Sequence, residues 1–295
     1  MVYFKKGIII TMKRKIGIVA IVLFTIFCIY LGVKTRKDNA INVTQIQTNN
    51  QEALSYMLKT KNNYIVMIDG GNYEDSEHLE DVLMQNGGVV THWYITLAHN
   101  QNFGALQKII EKGNIKVENV YISFNDIEWY KKYESDRVLP ILEFLSVMDE
   151  KKQNYAEIPA NYEIQFDGWY ISVLNWKNPE FNGEYAGFNQ SMILKINNMY
   201  KSVIFMGNSA NQAGEFFKDN HLDELKCDAV QVSNNGSQFV NNEIYQKMKP
   251  KYLLISVPVN TNQVETQNYG NELKNILNSK EVHFSNEGDK SLVIW

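Results

Sequence analysis

Two residue types that carry much of protein chemistry are almost missing from this chain. Only Cys28 and Cys227 are cysteines among 295 residues. Cys28 falls inside a charge-free apolar run, so no disulfide can form within the rest of the chain. Cys227, just before Asp-Ala-Val-Gln-Val, reads as a small buried residue at a strand edge. Histidine occurs five times, and His78, His221 and His283 show no metal-ligand spacing. No CxxC pair, phosphate-cradling glycine loop, dinucleotide fingerprint or nucleophile elbow occurs, and there is no low-complexity tract.

Positive charge is scarce beyond the N-terminus. Residues 1–37 hold eight Lys/Arg and no acid, which leaves 21 basic against 33 acidic residues in the remainder, a net charge near −12. An acidic body does not attract a polyanion, which argues against nucleic acid as a partner.

Apolar residues, by contrast, are plentiful. At 44% apolar and 12% aromatic the chain can bury a core in one large domain or two small ones. Ile16–Val33 is a charge-free run of 18 residues between Lys13-Arg14-Lys15 and Lys34, Arg36 and Lys37. A helix of that length crosses a hydrocarbon core. The expectation is therefore a single-pass cell-membrane protein, with a tail and anchor over 1–37 and a domain over 38–295. The five basic residues and absent acids of 1–15 place the N-terminus in the cytoplasm and the large domain outside. A cleaved signal peptide is the rival reading; the length of the run and the lack of a small-x-small site after it argue against that. Met12, opening Met-Lys-Arg-Lys, is an alternative start.

Along 38–295 the patterning predicts alternating strands and helices, an α/β fold. Ile41–Gln45 and Ala53–Leu58 read as a hairpin, Tyr64–Gly71 as a buried strand stopped by Asp-Gly-Gly, and Ser76–Gln85 as a helix with an acidic start. Strands are expected at Val89–Leu97 and Val117–Ser123, around a helix Phe103–Lys112 that closes at Gly113. Residues 125–155 are charged and helical. Ile164–Leu174, Ser191–Ile196, Ser202–Met206, Cys227–Ser233 and Pro250–Pro258 read as strands, Gln212–Phe217 and Leu273–Leu277 as helices, and Val282–Trp295 as a closing hairpin.

One stretch is more specific. Tyr64–Gly71 (YIVMIDGG) leads to Tyr94–Leu106 (YITLAHNQNFGAL), and this pair resembles the metallo-β-lactamase superfamily, most closely the hydrolase domain of competence (ComEC-type) DNA-uptake proteins. In that family I-D-G-G is followed by T-H-x-H-x-D-H-x-G-G, whose side chains hold two metals. Aligned on Thr96 and Gly104, Leu97, His99, Gln101 and Asn102 stand where the family has His, His, Asp and His. Further on, Asn208 stands at the metal-bridging Asp of T-G-D, and Asn234 and Asn235 at the two His of H-H-G-S. Pro250–Pro258 matches P-x-x-x-x-I-S, whereas only Ala53 survives of D-V-G-Q-G-D-A. The resemblance covers about residues 41–295 and implies a four-layer αββα sandwich.

It also implies a changed site. Imidazoles and carboxylates repay the dehydration of zinc, while neutral amides rarely do. His99 alone of the family's ligands remains, so no metal ligand set and no cofactor are expected. Without a metal-activated water there is no hydrolytic nucleophile. Asp69, His99, Gln101, Asn102, Asn208, Asn234 and Asn235 would line a vestigial pocket. Either the amides present donors and acceptors to a neutral ligand, or they bond one another and the nearby backbone; Asp69 reads as a cap of the turn that follows it. The expected function is a non-catalytic, membrane-anchored binding or scaffolding module, with a cell-wall or membrane-protein partner. The alternative is a divergent hydrolase in which zinc or another divalent metal is held by His99, Asp69 and amide oxygens.

Overall fold

The computed structural model describes residues 21–32, 34, 40–49, 53–159, 161–175, 177–178, 180–221, 225–236, 240–257 and 264–294. Residues 1–40 form one unit and 41–294 another. In the first, residues 21–32 are helical and exposed. Among the described residues no helix is long and apolar enough to cross a membrane. The expected span 16–33 is described only over 21–32; Met12 and the remainder of that span lie outside the described residues.

The second unit is built on two seven-stranded sheets. One has the order β16-β1-β2-β3-β5-β7-β8, with β1 Ile41–Gln45, β2 Tyr56–Thr60, β3 Ile65–Ile68, β5 His92–Tyr94, β7 Val120–Ile122, β8 Tyr155–Glu157 and β16 Lys290–Ile294. The other has the order β15-β14-β13-β12-β11-β10-β9, with β9 Glu163–Phe166, β10 Trp169–Asn175, β11 Ile193–Asn197, β12 Ser202–Phe205, β13 Ala229–Gln231, β14 Tyr252–Ile255 and β15 Glu281–Phe284.

Period-two alternation sorts the side chains into layers. Val66 and Ile68 of β3 face the other sheet, where they join Tyr56, Trp169, Leu194 and Phe205 in a core between the sheets. Ile65 and Met67 point the opposite way, to Phe103, Leu106 and Phe144 on the helices Asn100–Lys112 and Val138–Glu150. Behind the second sheet, Ile204, Val230 and Leu253 pack against Phe217, Ile244 and Leu273 of the helices Asn211–Asn220, Asn242–Met248 and Val264–Leu277. Strands covered on both faces read as continuous apolar runs, as IVMI and YLLI do here. The expected αββα layering is what these three cores describe.

Several elements differ from the sequence expectation. The single strand Ile164–Leu174 is two, paired across a turn at Asp167-Gly168, both with positive φ. Val89–Leu97 is likewise divided, because β4 (Val89–Val90) pairs with β6 (Lys116–Val117) in a separate two-stranded sheet. Val282–Trp295 is not a hairpin: β15 joins β14 in the second sheet, whereas β16 crosses to pair with β1 in the first. The final strand therefore ties the two sheets together.

Candidate functional site

β3 and β5 are parallel and end side by side, in register from Val66↔His92 to Ile68↔Tyr94. Asp69 follows β3 in the left-handed region at φ 53. Its amide donates to Tyr94 O at 2.8 Å, and its carbonyl accepts from Trp93 Nε1 at 3.1 Å. These bonds turn a fully buried carboxylate toward Thr96. Thr96 N donates to Oδ1 at 2.8 Å and Thr96 Oγ1 to Oδ2 at 2.6 Å. Burial pushes the Asp69 carboxyl up to about 7, against the opposing pull of Thr96. Asp69 does not cap the next turn, as the sequence suggested. That task falls to Asn72 and Asp75, which form a capping box.

The helix Asn100–Lys112 starts immediately above. Gly104 lets it approach the chain before Ser76: a Cβ there would lie 2.6 Å from Tyr73 N. Gly70 N donates to Asn102 O at 2.8 Å and secures the same contact. Asn102 is fully buried. Its Nδ2 donates to Asn208 Oδ1 at 3.0 Å and reaches Thr96 Oγ1 at 3.4 Å, while its Oδ1 has no hydrogen-bond partner.

Asn208 is carried by the end of β12, so the Asn102–Asn208 bond joins the two sheets. Gly207 makes the turn at φ +58, where a Cβ would meet Ser191 Oγ at 2.8 Å. Ser191 Oγ accepts instead from Asn208 N at 2.9 Å. Gln231, at the end of β13, clamps Gly207 from the other side. Its Oε1 accepts from Gly207 N at 2.7 Å, and its Nε2 donates to Gly207 O at 3.0 Å and Val232 O at 2.7 Å. Asn234 N donates to Gly207 O at 3.2 Å, and Asn234 Oδ1 is buried without a partner. The side chain of Asn235 lies outside the described residues.

Asp69, Asn102, Asn208 and Asn234 are therefore brought together through Thr96 and Gly207. His99 and Gln101 lie next to this network in the chain, and Asn102 N donates to His99 O at 2.8 Å, but their side chains make no hydrogen bond to it among the described residues. His99 occupies the N-cap position of its helix without making a side-chain cap bond. Burial, and then the Arg137 guanidinium, push its imidazole down to about 4. Gln101 Oε1 is buried and unpartnered. Leu97 is part of the buried apolar interior. Gln231, which the sequence reading passed over, was signalled only by being a polar residue within a buried apolar strand.

These residues do not fit a two-metal group. Asn102 and Asn208 supply neutral amides where a two-metal group needs imidazoles and carboxylates, and Asp69 is the one carboxylate bonded into the network. Among the described residues, no three His, Cys, Asp or Glu side chains could together hold a metal ion.

No family model matches the chain, and no curated protein matches it. Solved structures do. A metallo-β-lactamase fold protein, YhfI from Bacillus subtilis, superposes with a TM-score of 0.57 at 15% identity, over 87% of this chain and 100% of that one. A metallo hydrolase from the archaeon Ignicoccus hospitalis matches at 0.50 and 10% identity, over 87% and 99%. CmlA, a diiron β-hydroxylase from Streptomyces venezuelae, matches at 0.57 and 10% identity, over 86% of this chain and 54% of that chain. At these identities the likeness is one of fold, and the chain has the metallo-β-lactamase fold. The matches also overturn the expectation that no cofactor is involved: proteins sharing this fold include a metallo hydrolase and a diiron enzyme.

Proposed function

We propose that this chain is a membrane-anchored binding or scaffolding protein whose metallo-β-lactamase fold descends from competence-type hydrolase domains and whose strand-end site no longer performs two-metal hydrolysis. The observation that carries this reading is the Asn102 Nδ2–Asn208 Oδ1 bond at 3.0 Å. Two positions where the family holds metal ligands here hold each other across the sheets. With the Thr96–Asp69 pair they form a buried network that spends its donors internally, as polar groups removed from water must. The site end of the fold thus serves as a polar joint between its halves. The anchor belongs to the charge-free run 16–33, and the acidic body lies on the far side of the membrane from the basic N-terminus.

The test is hydrolysis of phosphodiester, lactam and thioester substrates by the full chain after equilibration with zinc, manganese or iron, with metal content measured by mass spectrometry on the same samples. The expected result is background turnover, equal for the parent chain and His99→Ala. Turnover that rises with bound metal and disappears on His99→Ala would overturn the proposal and establish a reduced metal-dependent hydrolase.

A further inference from the structure

The end of the body opposite the site carries a different chemistry. In the second sheet, β12, β13, β14 and β15 run parallel, so their N-termini share one edge. A lysine immediately precedes three of the four: Lys201 before Ser202, Lys251 before Tyr252 and Lys280 before Glu281. Asp228 precedes the fourth. Lys201 Nζ and Lys251 Nζ each lie 3.0 Å from Asp228 Oδ1, which fixes both lysines along the edge. Lys280 Nζ sits over the Tyr252 ring, 5.6 Å from its centroid. Lys226 and Lys249 are exposed beside the same strand starts, where the acids among the described residues are Asp228 and Glu281. On a body with a net charge near −12, the described residues beside these four strand starts include five lysines and two acids; Asp223 and Glu224 lie outside the described residues.

Beside the lysines, the β11–β12 hairpin projects Met199 and Tyr200, 86% and 48% exposed. The turn is closed by its own backbone and by Asn198, whose Oδ1 accepts from Tyr200 N and Lys201 N at 2.8 Å each, so the tip is rigid. A large flexible apolar side chain and a tyrosine beside lysines match a headgroup boundary: the sulfur chain and ring enter the acyl edge while the ammonium groups stay with phosphate.

Connectivity selects the occupant. In the first sheet Ile41 pairs with Thr60 and Ile294 at the end away from the site. The turn Lys61–Tyr64 lies at that same end, and Asn62 Nδ2 donates to Asp167 Oδ1 of the β9–β10 turn at 2.6 Å, which places the corresponding ends of both sheets together. The chain from the candidate anchor thus joins the body at the end that bears the hairpin. Only residues 34–40 intervene in the sequence, a reach of about 24 Å when extended.

We infer that this end is a docking face for an anionic phospholipid surface, with Met199 and Tyr200 inserted at the headgroup boundary and Lys201, Lys226, Lys249, Lys251 and Lys280 against phosphate. The inference rests on the membrane-anchored reading above. It turns the polar joint at the opposite end of the strands away from the bilayer.

Hydrogen–deuterium exchange of the full chain tests it, in nanodiscs of phosphatidylcholine alone and of phosphatidylcholine with phosphatidylglycerol. The expected result is slower exchange at residues 198–201 in the anionic discs, reversed by high salt. Met199→Ser/Tyr200→Ser should lose this protection. Lys249→Gln and Lys280→Gln should each weaken it about fivefold, and because neither touches Asp228 the fold is spared. A chain that stays in both kinds of disc with identical exchange at 198–201 overturns the docking face and leaves the anchor standing. A chain that fails to enter discs of either composition overturns the anchor, and this inference with it.

Discussion

Where β3, β5 and β12 end, polar side chains are withdrawn from water and bonded to one another: Thr96 to Asp69, Asn102 to Asn208, Gln231 to Gly207. Where β12, β14 and β15 begin, they are Lys201, Lys251 and Lys280, with at least part of each side chain in solvent. Both ends are rich in polar residues and only the first is sensitive to them. A buried group that loses its partner bears its full desolvation cost, whereas an exposed one is re-solvated. The contrast also suggests why amides rather than carboxylates occupy the site end. One buried acid, Asp69, already titrates near neutrality, and a second would have to ionise within the same network.

The largest test of this contrast is Asn208→Asp, which exchanges a buried amide for an acid of nearly the same shape. The side chain is fully buried and its Oδ1 already accepts from Asn102. A carboxylate there meets Asp69 across Thr96 and Asn102. The expected loss of stability is about 3 kcal/mol at pH 8, by denaturant unfolding, and smaller at pH 5 where the acids hold their protons. Undiminished stability at pH 8 would mean that the site end tolerates charge, and the comparison between the ends would fail.

Next in size is the titration of Asp69. Its folded pKa of about 7 lies above the ordinary value of 3.8, so between these pH values the folded state binds the extra proton. The corresponding stability is complete below about pH 4 and is lost as pH rises through 7. His99 runs the other way: with its pKa lowered to about 4, it favours folding above the usual imidazole range and loses that contribution as pH falls. Asp69→Asn should therefore reduce the decline in stability between pH 5 and pH 8 by roughly 2 kcal/mol, and leave the acid-side loss due to His99 intact. Melting curves at both pH values decide it; an unchanged slope would show that Asp69 is ionised in the folded protein.

How much of this was legible beforehand differs between the same two regions. The fold could be read because its strands are buried on both faces and because Gly104 in a helix and Gly207 in a turn stand where a Cβ cannot fit. The helix Ser76–Gln85 was predicted to its ends by its acidic start and its glycine stop. Asn102 and Asn208 could be singled out in the sequence, but not that the two would bond each other. Nothing local relates positions 106 residues apart. Gln231 escaped notice for a similar reason: besides Val232 O, its partners are the backbone groups of Gly207, 24 residues away. The path of β16 was misread because a short strand followed by a turn and another strand reads as a hairpin, whereas Ile41 and Val43 were waiting across the sandwich for Ile294 and Leu292. The lysine edge is invisible in sequence, since its members are spread from Lys201 to Lys280 and only parallel pairing aligns them.

The smallest expected effect is at that edge. Lys280 is exposed, and its contacts are the Tyr252 ring, 5.6 Å to its centroid, and the Tyr252 hydroxyl at 3.5 Å. Replacing it with Gln keeps most of the stem against the ring and removes one charge that water already screens. Lys280→Gln should change unfolding stability in solution by less than about 0.5 kcal/mol. The same substitution should weaken association with anionic lipid, where the ammonium group meets concentrated negative charge rather than bulk water. A residue that matters to a surface but not to the fold is the opposite of Asn208, and measuring both quantities for both variants places the difference between the two ends on one scale. If Lys280→Gln instead destabilised the protein as much as Asn208→Asp does, the lysine edge would be a structural element of the sheet, and its charge would need an explanation inside the fold.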